Sequence, residues 1–232
     1  RYTSDYGEFF VVKSKHGLGV VSRQPAERFQ LTVYDKEFTT PDWLKGGIIY
    51  QIFPDRFYNS GKPKHNVPSD RFICNDWSKT PEYRQNNGVC SLGNGYYGGD
   101  IEGIIQKLPY IKSLGVNCIY LNPIFEAHSN HRYNTANYEK IDSLLGDEND
   151  LENLCKKAQK LGIKIILDGV FSHTGDDSVY FNRTGRYGNG GAYLDSNSPY
   201  RRWFKFYDYP NGYDAWWGVK TLPEVNEDDP SF

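Results

Sequence analysis

A carboxylate and an imidazole follow a short apolar segment in the second half of the chain. Residues 163–167 are mostly aliphatic, Asp168 comes directly after them, and His173 lies five residues further along. Such a segment is typical of a strand buried in a parallel sheet, and polar residues after such a strand lie where α/β proteins bind ligands. A carboxylate there orients neighbouring donors, and a histidine there can hydrogen-bond to a hydroxyl-rich ligand. Because strands that end in Asp occur in many folds, this pattern alone does not identify the chemistry.

Aromatic residues are unusually abundant, at 16% of the 232 residues, and many lie in stretches rich in Gly, Asn and Asp. Residues 94–99 and 211–218 are two such stretches, and the second contains Trp216 and Trp217. Aromatic side chains in loops present flat apolar faces with a polar edge, which suits sugar rings. The pattern predicts either sugar stacking or core packing, and the sequence does not separate the two.

Charge and hydropathy argue against two classes of partner. The net charge is −2 without a run of like charges, so neither nucleic acid nor an anionic membrane is expected to bind. No apolar segment approaches the length of about 20 residues that is needed to span a bilayer. The sequence begins with Arg1 and has no Met, so a signal peptide would not be visible, and location stays open, with the cytoplasm favoured over secretion.

The elements that must position these side chains change character near residue 40. Residues 1–40 contain short apolar stretches separated by glycines, such as 9–12 and 29–34, and predict the end of a small all-β domain. Residues 174–232 are rich in Gly, Tyr and Asn without a clear helical pattern. A loop-rich insertion of this length in an α/β protein usually carries function.

Residues 41–173, between these two regions, alternate between strand and helix patterns. Strands are predicted at 48–53, 116–121 and 163–167, with a helix in each interval, the first of them capped by Asp100. This order predicts a parallel sheet with right-handed crossovers.

The four cysteines are spaced without a C-x-x-C pair. Cys118 and Cys155 lie in apolar patterns and are predicted to be buried thiols, whereas Cys74 and Cys90 could pair across a loop. The sequence does not decide this pairing, so the redox compartment also stays open.

Six motifs, in order along the chain, resemble those of one enzyme family. They occupy residues 49–57, 97–104, 121–125, 131–138, 168–173 and 222–226. Together they resemble the α-amylase superfamily (glycoside hydrolase family 13), closest to neopullulanases, cyclomaltodextrinases and related bacterial amylases. The resemblance implies an α/β fold: a partial TIM (β/α)8 barrel of three βα units, with domain B inserted as residues 174–232.

The same resemblance implies a set of substrate-binding residues. Tyr133 would stack on the glucose ring at the cleavage point, and His173 would donate to a hydroxyl of that sugar. Asp168 matches a supporting position that holds the polar groups of the site, not the nucleophile. Trp216 and Trp217 would either form the wall of a sugar subsite or fasten the insertion to the barrel.

A calcium ion is a possible cofactor by this resemblance, and no organic cofactor is expected. The candidate metal ligands are Asn59, Gly98 and Asp100. Several residues depart from the calcium-binding patterns of the family: Ser172 replaces an Asn, Glu224 replaces an Asp, and Lys64 and His65 lie where oxygen ligands would be expected. Calcium takes six to eight oxygen ligands, so these departures weaken the expectation.

The residues that break the bond are expected elsewhere in the enzyme. Retaining glycosidases need two carboxyl groups about 5–5.5 Å apart, and in the resembled family these two, with a third Asp, come from later barrel strands. We therefore expect the catalytic residues beyond residue 232. The chain would then be the N-terminal portion of a longer enzyme, inactive alone and dependent on the remainder of the same chain.

The resemblance implies retaining hydrolysis of α-glucosidic bonds in starch, pullulan or maltodextrins, with an α-glucan oligosaccharide or polysaccharide as the ligand. One alternative is an amylase-like binding or transporter-associated domain without catalysis, although the presence of both Tyr133 and His173 argues against it. The other alternative is a glucanotransferase on the same scaffold. The sequence determines neither the linkage preference nor the oligomeric state.

Overall fold

The computed structural model describes residues 1–26, 29–65, 67–69, 71–80 and 93–232. They form two compact units, Arg1–Asp42 and Trp43–Phe232. The division lies close to the boundary expected at residue 40, and the insertion predicted at 174–232 belongs to the second unit. Cys90 lies outside the described residues, and so does its proposed pairing with Cys74. Within these ranges no helix is long and apolar enough to cross a membrane.

The first unit is a small antiparallel sheet. Its strands are β1 (Tyr2–Ser4), β2 (Gly7–Lys13) and β3 (Gly19–Ser22), with β2 in the centre. The prediction of a strand at residues 29–34 is wrong, because this segment has no regular structure and its aliphatic side chains are exposed. Its alternating sequence suits a strand, but no described strand lies beside it to accept its backbone hydrogen bonds, and a strand needs such a partner.

The second unit contains nine short strands and two helices within the described residues. In chain order they are β4 (Ile49–Ile52), β5 (Phe72–Ile73), β6 (Gly95–Tyr96), α1 (Ile101–Ser113), β7 (Cys118–Leu121), β8 (Phe125–Ala127), β9 (Thr135–Ile141), α2 (Glu148–Lys160), β10 (Lys164–Leu167), β11 (Phe206–Asp208) and β12 (Gly212–Tyr213). The strands β4, β7 and β10 form the predicted parallel sheet, with β7 in the centre. Ile52, Leu121 and Leu167 are aligned in register, so the three strands end side by side.

The two helices begin at side-chain caps and bury one face each. The Asp100 carboxylate accepts the Gly103 N–H at 2.7 Å, which confirms the predicted start of α1, and Asp147 caps α2 in the same way. The buried face of α2 runs through Leu154 and Ala158. Cys118 is buried as predicted, but the prediction for Cys155 is wrong. Cys155 is exposed because it lies about 100° around the helix from Leu154.

Residues 174–232 have their own aromatic core. Phe181 is fully buried, and its ring lies 4.7 Å from that of Tyr213 and 4.9 Å from that of Phe204. Most aromatic residues of this region therefore pack against each other. Its last segment returns to the strand ends, where the Val225 N–H donates to the Ser172 carbonyl at 3.0 Å. The motifs at 168–173 and 222–226 are thus neighbours.

Candidate functional site

Asp168 and Tyr133 meet at the carboxyl end of the parallel sheet. Asp168 follows β10, and its N–H donates to the Leu121 carbonyl at the end of β7. The Tyr133 hydroxyl, from the loop between β8 and β9, donates to Asp168 Oδ2 at 3.0 Å. Burial and this hydrogen bond raise the pKa of Tyr133 to about 12, so the hydroxyl stays protonated and acts as a donor at neutral pH.

Tyr120 is a second tyrosine that reaches the same carboxylate. It lies on β7, aligned with Ile166 of β10, and burial together with the nearby Asp168 carboxylate raises the pKa of its hydroxyl. Sequence analysis did not identify Tyr120. The signal was available, because Tyr120 is aligned with Ile166, and side chains two positions apart along a strand, such as those of residues 166 and 168, point to the same face. Asp168 therefore accepts from the Tyr133 hydroxyl, has the Tyr120 hydroxyl nearby, and is half-buried.

His173 is buried beneath Tyr133, with only 4% of its surface exposed. Its Nε2 lies 3.1 Å from the Tyr133 carbonyl, and its Nδ1 lies 3.0 Å from Ser172 Oγ. A carbonyl only accepts, so Nε2 carries the proton, and in the neutral ring Nδ1 accepts from the serine hydroxyl. Burial lowers the pKa of His173, while the contact with the Tyr133 carbonyl and the charge of Glu224 act against this shift.

A stack of three rings leads from this histidine to the surface. The rings of His173 and Trp216 are 5.0 Å apart at 36°, and those of Trp216 and Trp217 are 4.6 Å apart at 4°. Trp217 is 86% exposed and has a φ of +49°, which is uncommon for a bulky residue. The two tryptophans therefore differ: Trp216 packs against the site, and Trp217 presents a flat face to solvent.

Tyr138 is a further residue that sequence analysis missed. Its hydroxyl, on β9, contacts the carbonyls of Val170 and His173, the latter at 3.1 Å. It therefore supports the segment between Asp168 and His173. All five predicted substrate-binding residues are connected by contacts: Tyr133, Asp168, His173, Trp216 and Trp217. The arrangement combines hydroxyl donors, a carboxylate acceptor and flat aromatic faces, which suits the recognition of a sugar.

The three metal candidates also lie together, but the side-chain oxygens of Asn59 and Asp100 are already engaged. Asp100 accepts from the Gly103 N–H at 2.7 Å and from Ser60 Oγ at 2.6 Å, and it forms an ion pair with the Lys64 ammonium. The Asn59 side-chain oxygen accepts the Gly61 N–H at 2.8 Å. These donors do not fit a calcium ion, which needs six to eight free oxygens. No group of three or more His, Cys, Asp or Glu in the described ranges is placed to share a metal.

Comparison with protein families identifies the class of this unit. Residues 51–231 match the family described as alpha amylase, catalytic domain. This range includes nearly all of the six motifs, as well as the strand ends that carry Asp168 and Tyr133. The chain belongs to the α-amylase family, which confirms the resemblance found in its motifs.

Similar proteins have names that refer to α-glucans. An amylopullulanase from Thermoanaerobacterium saccharolyticum is 46% identical over 229 residues, which cover 90% of this chain but 18% of that protein. The solved cyclic alpha-maltosyl-(1→6)-maltose hydrolase from Arthrobacter globiformis has a TM-score of 0.67 and 33% identity, covering 83% of this chain and 40% of its own. The type III pullulan hydrolase from Thermococcus kodakarensis has a TM-score of 0.66 and 30% identity, and the match covers 96% of this chain and 40% of that one. This chain thus spans less than half of each.

Proposed function

We propose that the chain is the N-terminal portion of a retaining α-glucan hydrolase that acts on α-glucosidic bonds of starch, pullulan or maltodextrins. Its strands β4, β7 and β10 would be the first three of a (β/α)8 barrel, and residues 174–232 would be domain B. Family membership supports this proposal, and so do the relatives whose names refer to pullulan or to a maltosyl-(1→6)-maltose bond.

The observation that carries the proposal is the placement of Tyr133 against Asp168 at the strand ends. In this proposal the Tyr133 ring stacks on the sugar at the cleavage point, and Asp168 holds the Tyr133 hydroxyl. His173 supports Tyr133 from below through its carbonyl, and it reaches a sugar hydroxyl only if its contact with that carbonyl is exchanged for one to the substrate. Trp216 and Trp217 form the wall of the site.

The bond-breaking step would depend on carboxyl groups from the remainder of the enzyme chain. The retaining mechanism needs a nucleophile and an acid/base about 5–5.5 Å apart. Asp168 already accepts from the Tyr133 hydroxyl, which suits a supporting role better than nucleophilic attack. Further barrel strands would lie beside β4 and β10, the two outer strands of the sheet, where Ile49 and Leu167 are exposed.

The test uses the full-length enzyme with starch, pullulan and maltotriose. Reducing ends should appear, and NMR should detect the α-anomer first, because a retaining enzyme conserves the configuration of the α-bond. The 232-residue chain, assayed in parallel, should release none. Initial formation of the β-anomer would contradict retention, and products longer than the substrate would favour a glucanotransferase.

A further inference from the structure

A buried ion group lies beneath the loop that carries Tyr133. Its three members are Arg71, Arg132 and Asp142, and each side chain is at most 4% exposed. The two Asp142 oxygens lie 3.4 Å from Arg71 Nη1 and 3.1 Å from Arg132 Nη2. Burial by itself would raise the pKa of the Asp142 carboxyl, but the two guanidinium groups outweigh it, so the pKa is lowered. The carboxylate is therefore charged at neutral pH.

Arg132 connects this group to Tyr133, its neighbour in sequence. Its φ is +61°, in the left-handed region that non-glycine residues seldom adopt. Its guanidinium donates to the Asn130 carbonyl at 2.8 Å as well as to Asp142. An unfavourable backbone conformation persists only where the surroundings hold it, and here the anchored side chain holds it. The backbone that leads into Tyr133 is thus set by a buried charge contact.

Arg71 connects the group to a distant part of the sequence. It lies just before β5, and its guanidinium donates to the Ala127 carbonyl at the end of β8 and to Asp142 directly after β9. One side chain therefore holds both strands of the β8–β9 hairpin, on either side of the Tyr133 loop.

Tyr96, on β6, closes the group from the other side. The Arg71 and Arg132 guanidinium carbons lie 5.2 Å and 5.7 Å from the centre of its ring, within the range of cation–π attraction. Its hydroxyl donates to the His128 carbonyl in the Tyr133 loop at 2.9 Å. The segment before α1 therefore packs against the loop through both an aromatic ring and an ion group.

This arrangement leaves buried donors unused. Arg71 Nε and Arg132 Nε are buried without a hydrogen-bond partner in the described part of the chain, and unpaired buried N–H groups are costly. Buried ion groups are often no more stabilising than apolar residues of similar volume. What the group supplies is a fixed geometry for the hairpin, since the guanidinium groups bind only in defined directions.

We propose that Arg71 is a positioning residue for Tyr133: by closing the ion group with Asp142 and Arg132, it fixes the loop that places the Tyr133 ring at the sugar. The inference rests on the proposed function, because Tyr133 is assigned to the substrate there. Arg71 does not contact the substrate, so its effect on activity passes through Tyr133.

The test is a double-mutant cycle in the full-length enzyme. Arg71→Met should lower kcat/KM for maltodextrin about 30-fold in the wild-type background, mainly through kcat. When Tyr133→Ala is already present, Arg71→Met should lower kcat/KM less than about 3-fold, because the ring through which Arg71 acts is gone. Lys140→Met is the matched control. Lys140 forms an ion pair of 2.9 Å with Glu126 on the same hairpin but is exposed, and its loss should change kcat/KM less than about 2-fold.

A second measurement does not depend on catalysis. Hydrogen exchange of the 128–134 segment should become about tenfold faster in Arg71→Met, while that of β7 stays unchanged. If Arg71→Met fails to fold, Arg71→Gln is used instead in both experiments, because it keeps N–H donors for the Ala127 carbonyl. Equal losses of kcat/KM in both backgrounds, or unchanged exchange of the loop, would overturn the inference. An inactive wild-type enzyme with the expected exchange would instead refute the proposed function alone.

Discussion

Asp168 and Asp100 are two carboxylates at motif positions, and they are bound by different kinds of donor. Asp168 follows strand β10, is half-buried, and accepts from the uncharged hydroxyl of Tyr133, with the Tyr120 hydroxyl nearby. Asp100 precedes helix α1, is buried, and is bound by an ammonium group, a hydroxyl and a backbone N–H. The first belongs to a site that leads to an exposed aromatic face. The second is closed by its own chain.

The difference lies in the charge of the donors. A carboxylate held by neutral hydroxyls keeps its negative charge available to the site, whereas one paired with Lys64 is neutralised locally. We therefore expect changes around Asp168 to affect activity, and changes around Asp100 to affect stability.

The largest effect should follow from changes at Tyr133. In the full-length enzyme, Tyr133→Ala and His173→Ala should each lower kcat/KM about 100-fold or more, because the first removes the contact of Tyr133 with the distorting sugar and the second removes the support that His173 gives to Tyr133. Tyr133→Phe keeps the ring but loses the hydrogen bond to Asp168, and about a tenfold loss is expected. Tyr207→Ala, at an exposed tyrosine of β11, serves as the control. Steady-state kinetics on maltodextrin measure these changes, and near-wild-type values for Tyr133→Ala would show that the site is placed wrongly.

The next largest effect should be a difference in stability between substitutions of two lysines that lie two positions apart. Lys64 is 12% exposed and pairs with buried Asp100, whereas Lys62 is 55% exposed and pairs with Glu102 and Asp150. Lys64→Met leaves a buried carboxylate without its counter-charge and should lower the free energy of unfolding by about 3 kcal/mol, which in an enzyme more than twice as long as this chain lowers Tm by about 1–3 °C. Lys62→Met should cost less than about 1 kcal/mol. Calorimetry of the full-length variants measures both changes in Tm. Equal shifts would show that the buried pair of Lys64 and Asp100 stabilises the fold no more than the exposed pairs of Lys62.

A smaller effect should appear in the pH dependence of stability. Burial lowers the pKa of His173 below its ordinary value of 6.5, so the folded state binds fewer protons than the unfolded state in mildly acidic solution. The stability contributed by the neutral ring is complete above about pH 6.5 and is lost as the pH falls toward the folded-state pKa, at about 1.4 kcal/mol per unit of difference. His173→Gln should therefore lose less Tm than the wild type between pH 7.5 and 5.5. Parallel curves for the two proteins would contradict this expectation.

The smallest effect should come from calcium. Because Lys64 already neutralises Asp100, millimolar Ca²⁺ or its removal with EDTA should change the Tm of the wild-type enzyme by less than about 1 °C. A calcium-dependent rise of several degrees that Asp100→Asn abolishes would show that the ion displaces the ammonium.

The sequence by itself predicted the elements whose signals are local. The parallel strands and the start of α1 follow from patterns within about 15 residues, such as the apolar segment 163–167 and Asp100 before the first helix. The motifs identified the family and named Tyr133, Asp168 and His173. Local pattern failed where pairing decides the outcome: residues 29–34 alternate like a strand but pair with no strand in the described part of the chain, and Cys155 lies just outside the buried face of α2.

Only the tertiary structure decided which partners these side chains have. Neither the hydroxyl donor on Asp168 nor the ammonium on Asp100 is visible in the motif around each carboxylate, because Tyr133 and Lys64 reach them from other elements. The same holds for the adjacent tryptophans, of which one packs on His173 and the other faces solvent. Arg71, Arg132 and Asp142 come together across 71 positions of sequence. Residue type determines what a side chain can bind, and the fold determines what lies within its reach.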